Sequence, residues 1–373
     1  MNDSSPNGKR SWVRIDIGAL RRNVEVCRDL AGEACGIMAI VKADAYGHGL
    51  SAVVKVIQDE VSWFGTANLK EAEEILETVG TGGTHIVVLC PLMPDERKAA
   101  IDRGISVSVS NAGEIDGLER AASEVGKKAR IHLSVDTGMG RTGVLPVRFP
   151  EMLDCIKKAK NCQLEGVWSH FPSADEEREF TLQQISEFRD LVSGVTDCHI
   201  HMANSAGLLG YQEQLEFASL ARPGLALYGV SPLEGQGSAL CPVLTWKTRV
   251  ALVREIPRGH SISYGRSFVS QRPMKTATLA VGYGDGYPRS LSHRNADVLI
   301  AGSRCPLLGR VTMDQIVVDV SHLSENVACG DEAVLLGRQG EQEISAAELA
   351  EKASTISWEI FTGIGSRVER CYS

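Results

Sequence analysis

Lys42 closes an apolar run, Ile37-Met-Ala-Ile-Val-Lys42. A lysine in such a place is desolvated, and desolvation disfavours its charged form and lowers its pKa. An uncharged amine is what condensation with a carbonyl requires. The plain alternative is a lysine that buries its stem and keeps its ammonium in water at a strand end. Other apolar runs also end on chemistry-bearing residues. Asp136 and Arg141 follow one run, His170 the next, and Asn204 with Ser205 the one after, while Arg222 lies in the last. Turn-forming roles could account for most of these positions one at a time. Their repeated appearance at the same end of successive runs points to one shared site.

The elements that would bring them together can be read from the pattern of apolar residues. Short runs at Ile37–Lys42, Trp63–Thr66, His85–Leu89, Ile105–Val109, Arg130–Val135, Leu164–Trp168, Cys198–Met202 and Ala221–Tyr228 read as strands. Helical patterns lie between them at Leu69–Thr78, Asn111–Val125, Phe149–Lys160 and Glu176–Val192, and an earlier one begins at Ile17 with Asp16 as its N-cap. Eight strands alternating with helices predict a closed (β/α)8 barrel, whose active site lies at the C-terminal ends of its strands. After Gly235 the text turns strand-rich, with runs at Val243–Ile256, Thr276–Val281, Val298–Leu308, Gln315–Val320 and Asp331–Leu336 and one helix near Ser345–Thr355. The expected division is a tail and strand over 1–15, a barrel over 16–235 and a β-rich C-terminal domain over 236–373, hinged at Ser231–Ser238.

A chain of 373 residues exceeds the size at which single cores stop growing, which also predicts two domains. The net charge of −8 leaves no basic excess for nucleic acid. No apolar run is long enough to span a bilayer. Met1–Arg10 reads as an unstructured polar tail without the apolar stretch of a signal peptide, so a cytoplasmic protein is expected. The ten cysteines are scattered, with no C-x-x-C pair, and read as small buried hydrophobes in a reducing compartment. His199 and His201 would share a strand face and could hold a metal, but no third ligand is evident and none is expected. Gly138-Met-Gly140-Arg-Thr-Gly143 spells a dinucleotide-binding fingerprint. That reading needs an acidic residue ending the following strand, and Glu165 begins it instead.

Lys42 opens the stretch Lys42-Ala-Asp-Ala-Tyr-Gly-His-Gly49, which resembles the cofactor-lysine signature of alanine racemases. The similarity continues through Asp136–Gly143, Ser169-His170-Phe171, Ala203-Asn204-Ser205, Arg222-Pro-Gly224 and Tyr228-Gly229. Beyond Gly235 it includes Ser263-Tyr264-Gly265-Arg266, Gly282–Arg289, Met313-Asp314-Gln315 and Arg367-Val368.

The resemblance implies pyridoxal phosphate as cofactor, an amino-acid substrate, and a homodimer whose subunits share active sites. It also implies that a strand near Trp12–Ile15 joins the C-terminal domain. Racemisation removes a proton from one face of Cα and returns one to the other, and the cofactor supplies the electron sink. The resemblance assigns the two bases to Lys42 and to Tyr264 of the partner subunit. A free tyrosine is neutral near pH 7, so its surroundings must assist it. Arg222 would face the pyridine nitrogen, oriented by His170. Tyr46, Asn204, Ser205, Gly224 and Leu225 would hold the cofactor and its phosphate, and Arg141, together with Tyr283 and the Met313 backbone of the partner subunit, the substrate carboxylate.

Two residues depart from the family pattern. Ser134 stands where many members have a carbamylated lysine that orients the arginine matching Arg141, and Ser366 stands where many have a tyrosine narrowing substrate entry. The implied function is interconversion of L- and D-alanine, supplying D-alanine for peptidoglycan. A serine or broad-specificity racemase is the alternative opened by Ser366. Further rivals are a barrel-fold amino-acid decarboxylase, a nicotinamide dehydrogenase built on the glycine fingerprint, and a non-catalytic cofactor-carrying barrel.

Overall fold

The computed structural model describes residues 8–80 and 83–373, so the tail expected over Met1–Arg10 lies outside the described residues as far as Asn7. The chain divides into two compact units. One comprises Leu20–Ala45 and Gly49–Cys241; the other comprises the residues up to Ala19, Tyr46–His48 and Pro242–Ser373.

The first unit is a closed parallel barrel of eight strands. Their order is Gly36–Ile40, Trp63–Thr66, His85–Val88, Ser106–Val109, Ala129–Ser134, Cys162–Trp168, His199–His201 and Leu220–Ala221. Strands such as Trp63–Thr66 and Ser106–Val109 are buried at every position, as expected where helices cover one face and the barrel interior the other. Asn68 and Asn111 cap the helices Leu69–Val79 and Ala112–Val125, accepting from the amides of Glu71 and Glu114. Asp16 accepts from the Ala19 amide at 2.8 Å and starts the helix Ile17–Ala31 as expected.

Two expectations need correction. The run Ala221–Tyr228 is not one strand: pairing stops after Ala221, and Leu225–Tyr228 forms a 3-10 helix. Pro223 lacks the N–H that would continue the ladder. The run Val298–Leu308 is a hairpin of Asp297–Ile300 and Ser303–Leu308, turning through Ala301 and Gly302, both at positive φ.

The second unit is built on a nine-stranded sheet among the described residues. Its Leu244–Ile256 strand pairs antiparallel with Ser11–Ile15, Met274–Leu279 and Glu332–Gln339. Ser11–Ile15 also pairs in parallel with Glu369–Tyr372. The late helix runs over Ala346–Ala353, capped by Ser345, and a second helix at Ser357–Thr362 follows it.

Candidate active site

Lys42 stands just past the Gly36–Ile40 strand, at the C-terminal end of the barrel. The chain there does not continue into an ordinary helix. Ala43, Asp44, Ala45 and Tyr46 have φ of 53°, 56°, 51° and 54°, a left-handed turn that ends at Gly47. Each such residue other than glycine costs about 1–2 kcal/mol, so the turn must be held by its surroundings. Glu71 supplies one hold, its carboxylate accepting from the amides of Ala43 and Ala67, both at 2.8 Å. Asp44 supplies another by accepting from the Leu50 amide at 2.7 Å. Burial pushes the Lys42 amine below its ordinary pKa, and the positive charges of Arg141 and Arg222 act in the same direction.

Arg222 lies within the barrel, 3% exposed. Its guanidinium donates to Ser169 O at 2.7 Å, Met202 O at 3.2 Å, His201 Nδ1 at 3.0 Å and His170 Nδ1 at 3.3 Å, and sits 5.0 Å from the Trp168 ring centre. Burial lowers its pKa to about 9, which leaves it a cation near neutrality. Burial and the neighbouring Arg222 charge push His170 down to about 3, so its ring is neutral and can accept from Arg222. His201, read from sequence only as a conceivable metal ligand, is the closer and fully enclosed partner of Arg222.

Ser205 opens the short helix Ser205–Gly210, and its Oγ accepts from the amides of Gly224 and Ala226 at 3.0 and 3.1 Å. Leu225 begins the 3-10 helix beside them. Asn204 has a local task, capping the Ser205 helix by accepting from the Gly207 amide. Arg141 is exposed on the loop after the Ala129–Ser134 strand, while Ser134 is buried. The glycine fingerprint there is no phosphate cradle, because the Asp136 carboxylate accepts from the amides of Gly138 and Gly140 at 3.0 Å and its charge would repel a phosphate.

The remaining expected residues belong to the second unit. Tyr46 is buried, its phenol pKa raised by that burial. Tyr264, Tyr283 and Met313 are exposed, unusually so for large apolar groups. Tyr283 and Met313 are neighbours, since the Tyr283 amide donates to Thr312 O and the Gly284 amide to Met313 O. The Tyr264 turn is tied to the segment just before Met313 by Ser263 Oγ donating to Arg310 O at 2.7 Å. The structure therefore gathers the expected residues into two sets. Lys42, Arg141, His170, Ser205, Arg222 and Gly224 lie in the barrel, and Tyr264, Tyr283 and Met313 lie on adjacent loops of the other unit.

A desolvated amine, a serine hydroxyl beside backbone amides and a buried guanidinium match the aldehyde, phosphate and ring of pyridoxal phosphate. Glu71, and the pairing of His201 with Arg222, escaped the sequence reading. Glu71 is one of several acidic residues on an amphipathic helix, with nothing local to mark it, whereas His201 stood in plain view at a strand's C-terminal end.

Comparison with known proteins bears on the same site. Residues 15–232 match the family model "Alanine racemase, N-terminal domain", and residues 243–372 match "Alanine racemase, C-terminal domain". The alanine racemase of Methylacidiphilum infernorum is 41% identical, over 99% of this chain and 94% of that protein. The crystal structure of alanine racemase from Streptomyces lavendulae, a D-cycloserine producer, superposes with a TM-score of 0.90 at 37% identity, covering 98% of each chain. The alanine racemase structure from Bartonella henselae, which has covalently bound pyridoxal phosphate, superposes with a TM-score of 0.89 at 25% identity, covering 98% of this chain and all of that one. The chain belongs to the alanine racemase family, isomerases of amino acids that depend on pyridoxal phosphate.

Proposed function

We propose that this protein interconverts L- and D-alanine by a two-base reaction, with Lys42 acting on one face of Cα and Tyr264 of the partner subunit on the other. The cofactor, when bound, supplies the electron sink that makes the Cα proton removable. Lys42 holds the cofactor and is the first base; its desolvated amine passes a proton to or from Cα at Nζ. Tyr264 does the same at Oη from the opposite side. Arg222 faces the ring nitrogen, and because it remains a cation it donates there and leaves that nitrogen unprotonated. Ser205, Tyr46 and the amides of Gly224 and Leu225 take the phosphate. Arg141, with Tyr283 and Met313 of the partner subunit, takes the substrate carboxylate, and Asn204 keeps Ser205 in place through the helix it caps.

One observation carries this reading: the half-buried Lys42, its amine poised low, at the same barrel end as the enclosed Arg222. Borohydride reduction of the protein loaded with pyridoxal phosphate, followed by peptide mapping, should mark Lys42. A label on another lysine would overturn the assignment. The exposure of Tyr264, Tyr283 and Met313 is what supports a homodimer with shared sites, because such groups gain most from being covered. D-alanine made this way would serve peptidoglycan synthesis in the cytoplasm. Ser366, a small exposed residue, favours a second reading in which serine or larger amino acids are also accepted.

A further inference from the structure

Behind Arg222 the barrel interior holds polar residues that the proposed reaction does not use. His201 Nε2 lies 2.9 Å from His132 Nδ1, and both rings are fully enclosed. His132 Nε2 in turn lies 3.6 Å from Glu165 Oε2 and has no closer polar partner. The Ser106 hydroxyl donates to the same carboxylate oxygen. Two sequence features make this arrangement. The pairing of the Ala129–Ser134 and Cys162–Trp168 strands slips between Ile131 and His132, so that Glu165 is the extra residue of a β-bulge. Bulges re-aim a side chain, and here the side chain is the carboxylate that meets His132. The next residue is Gly166, where a Cβ would come within 2.4 Å of His132 Nδ1 and push the ring off its partner.

The position of every ring proton follows from one fact. Arginine has donors and no acceptor, so His201 Nδ1, facing Arg222, must be bare. The proton of neutral His201 is then on Nε2 and is donated to His132 Nδ1. That nitrogen is therefore bare as well, and the His132 proton sits on Nε2, aimed at Glu165. Burial keeps both rings neutral, most strongly His201. Burial raises the Glu165 carboxyl, but the His132 and Ser106 contacts, with the Arg130 guanidinium 3.9 Å from its other oxygen, outweigh it and leave it below the usual range. The result is a directed run of donors from a buried cation through two rings, whose last N–H meets a carboxylate oxygen 3.6 Å away by charge attraction and not by a hydrogen bond.

We propose that Glu165, His132 and His201 form a fixed relay that holds Arg222 in a single hydrogen-bonding pattern and offsets part of the charge it turns toward the cofactor ring. All three are positioning residues, and the second half of the proposal rests on Arg222 facing that ring. Glu165 acts at a distance, through the rings and through its field, and in a medium of low polarity such a field persists.

The test uses the holoenzyme with 15N-labelled histidine, read by long-range 15N–1H correlation between pH 6.5 and 8.5. His201 and His132 should each be neutral with the proton on Nε2. A proton on Nδ1 of either ring, or a doubly protonated ring, would overturn the relay without any variant being made. In the second arm, Glu165→Gln keeps an acceptor and removes the charge. With less compensation of Arg222, the visible-band titration of the cofactor on Lys42 should move down, by up to about one pH unit. An unmoved midpoint in a variant that melts like wild type would overturn the charge-offset role. If Arg222→Gln also leaves the midpoint in place, the failure lies in the placement of Arg222, and the wild-type tautomers still decide the relay.

Discussion

Tyr264 is 72% exposed in a turn whose neighbours Ser263, Gly265 and Arg266 all have positive φ. A phenol fixed in so specific a backbone, yet covered by nothing in its own unit, suits a residue that works against another surface. If it is the second base, Tyr264→Phe should lower racemisation in both directions by about 10²–10⁴-fold, the usual scale for a lost acid–base group. Initial rates from L-alanine and from D-alanine check this, and near wild-type turnover in either direction would remove Tyr264 from the reaction. The place of Lys42 at the end of a buried strand was legible in the sequence, because the apolar run stops on it. The burial of Arg222 was legible too, because an apolar run flanks it. His132 and Glu165 could not be joined to Arg222, since residues 222, 201, 132 and 165 meet only once the barrel closes and the bulge at Glu165 turns it inward.

At the scale of elements, alternation of apolar runs and helical patterns gave the barrel strands to within a residue or two at most ends. It failed where the backbone leaves regular geometry. Nothing in Lys42-Ala-Asp-Ala-Tyr-Gly47 marks a left-handed turn, because alanine and tyrosine adopt it only under constraint from elsewhere. The constraint on Gly47 is legible only in the structure, where it has φ of 76° and a Cβ would meet Phe361 O at 2.4 Å. Gly47→Ala should destabilise the protein by about 1–3 kcal/mol from backbone strain alone, with more from the collision. Denaturant unfolding would measure it, and a variant as stable as wild type would mean that the turn is not held as described. The Val298–Leu308 run was read as one strand for a related reason. Ala301-Gly302 makes a turn with a single glycine, and the apolar pattern passes straight through it.

For the whole molecule, the enclosed rings of His132 and His201 and the half-buried ring of His170 make stability depend on pH. Their folded pKa values lie below the ordinary 6.5, His170 at about 3. Above pH 6.5 neither the folded nor the unfolded chain holds these protons. Below it the unfolded chain takes them up and the folded chain does not, so stability falls as pH drops. Each ring contributes up to about 1.4 kcal/mol per pH unit. Urea midpoints at pH 7.5 and pH 5 should therefore differ, and a flat profile would mean that the rings are not held neutral. Assembly has its own test. Inactive Lys42→Ala and inactive Tyr264→Phe chains, mixed and allowed to exchange, should regain activity. A heterodimer carries one site with both defects and one with neither, so random exchange restores about a quarter of all sites. No recovery after proven exchange would mean that each chain builds its site alone.

The segment Tyr46–His48, immediately after the turn that carries Lys42, is fastened by residues synthesised more than three hundred positions later. Gly47 O accepts from Arg370 Nε at 3.1 Å, and His48 O accepts from Tyr372 Oη at the same distance. During translation those partners emerge from the ribosome after the barrel-forming residues, and the intervening chain must already be in place for so long a loop to close. The nascent protein can thus form barrel strands well before this clamp exists. Its completion is tied to the final strand, so a prematurely terminated product lacks the fastening that follows the turn of Lys42.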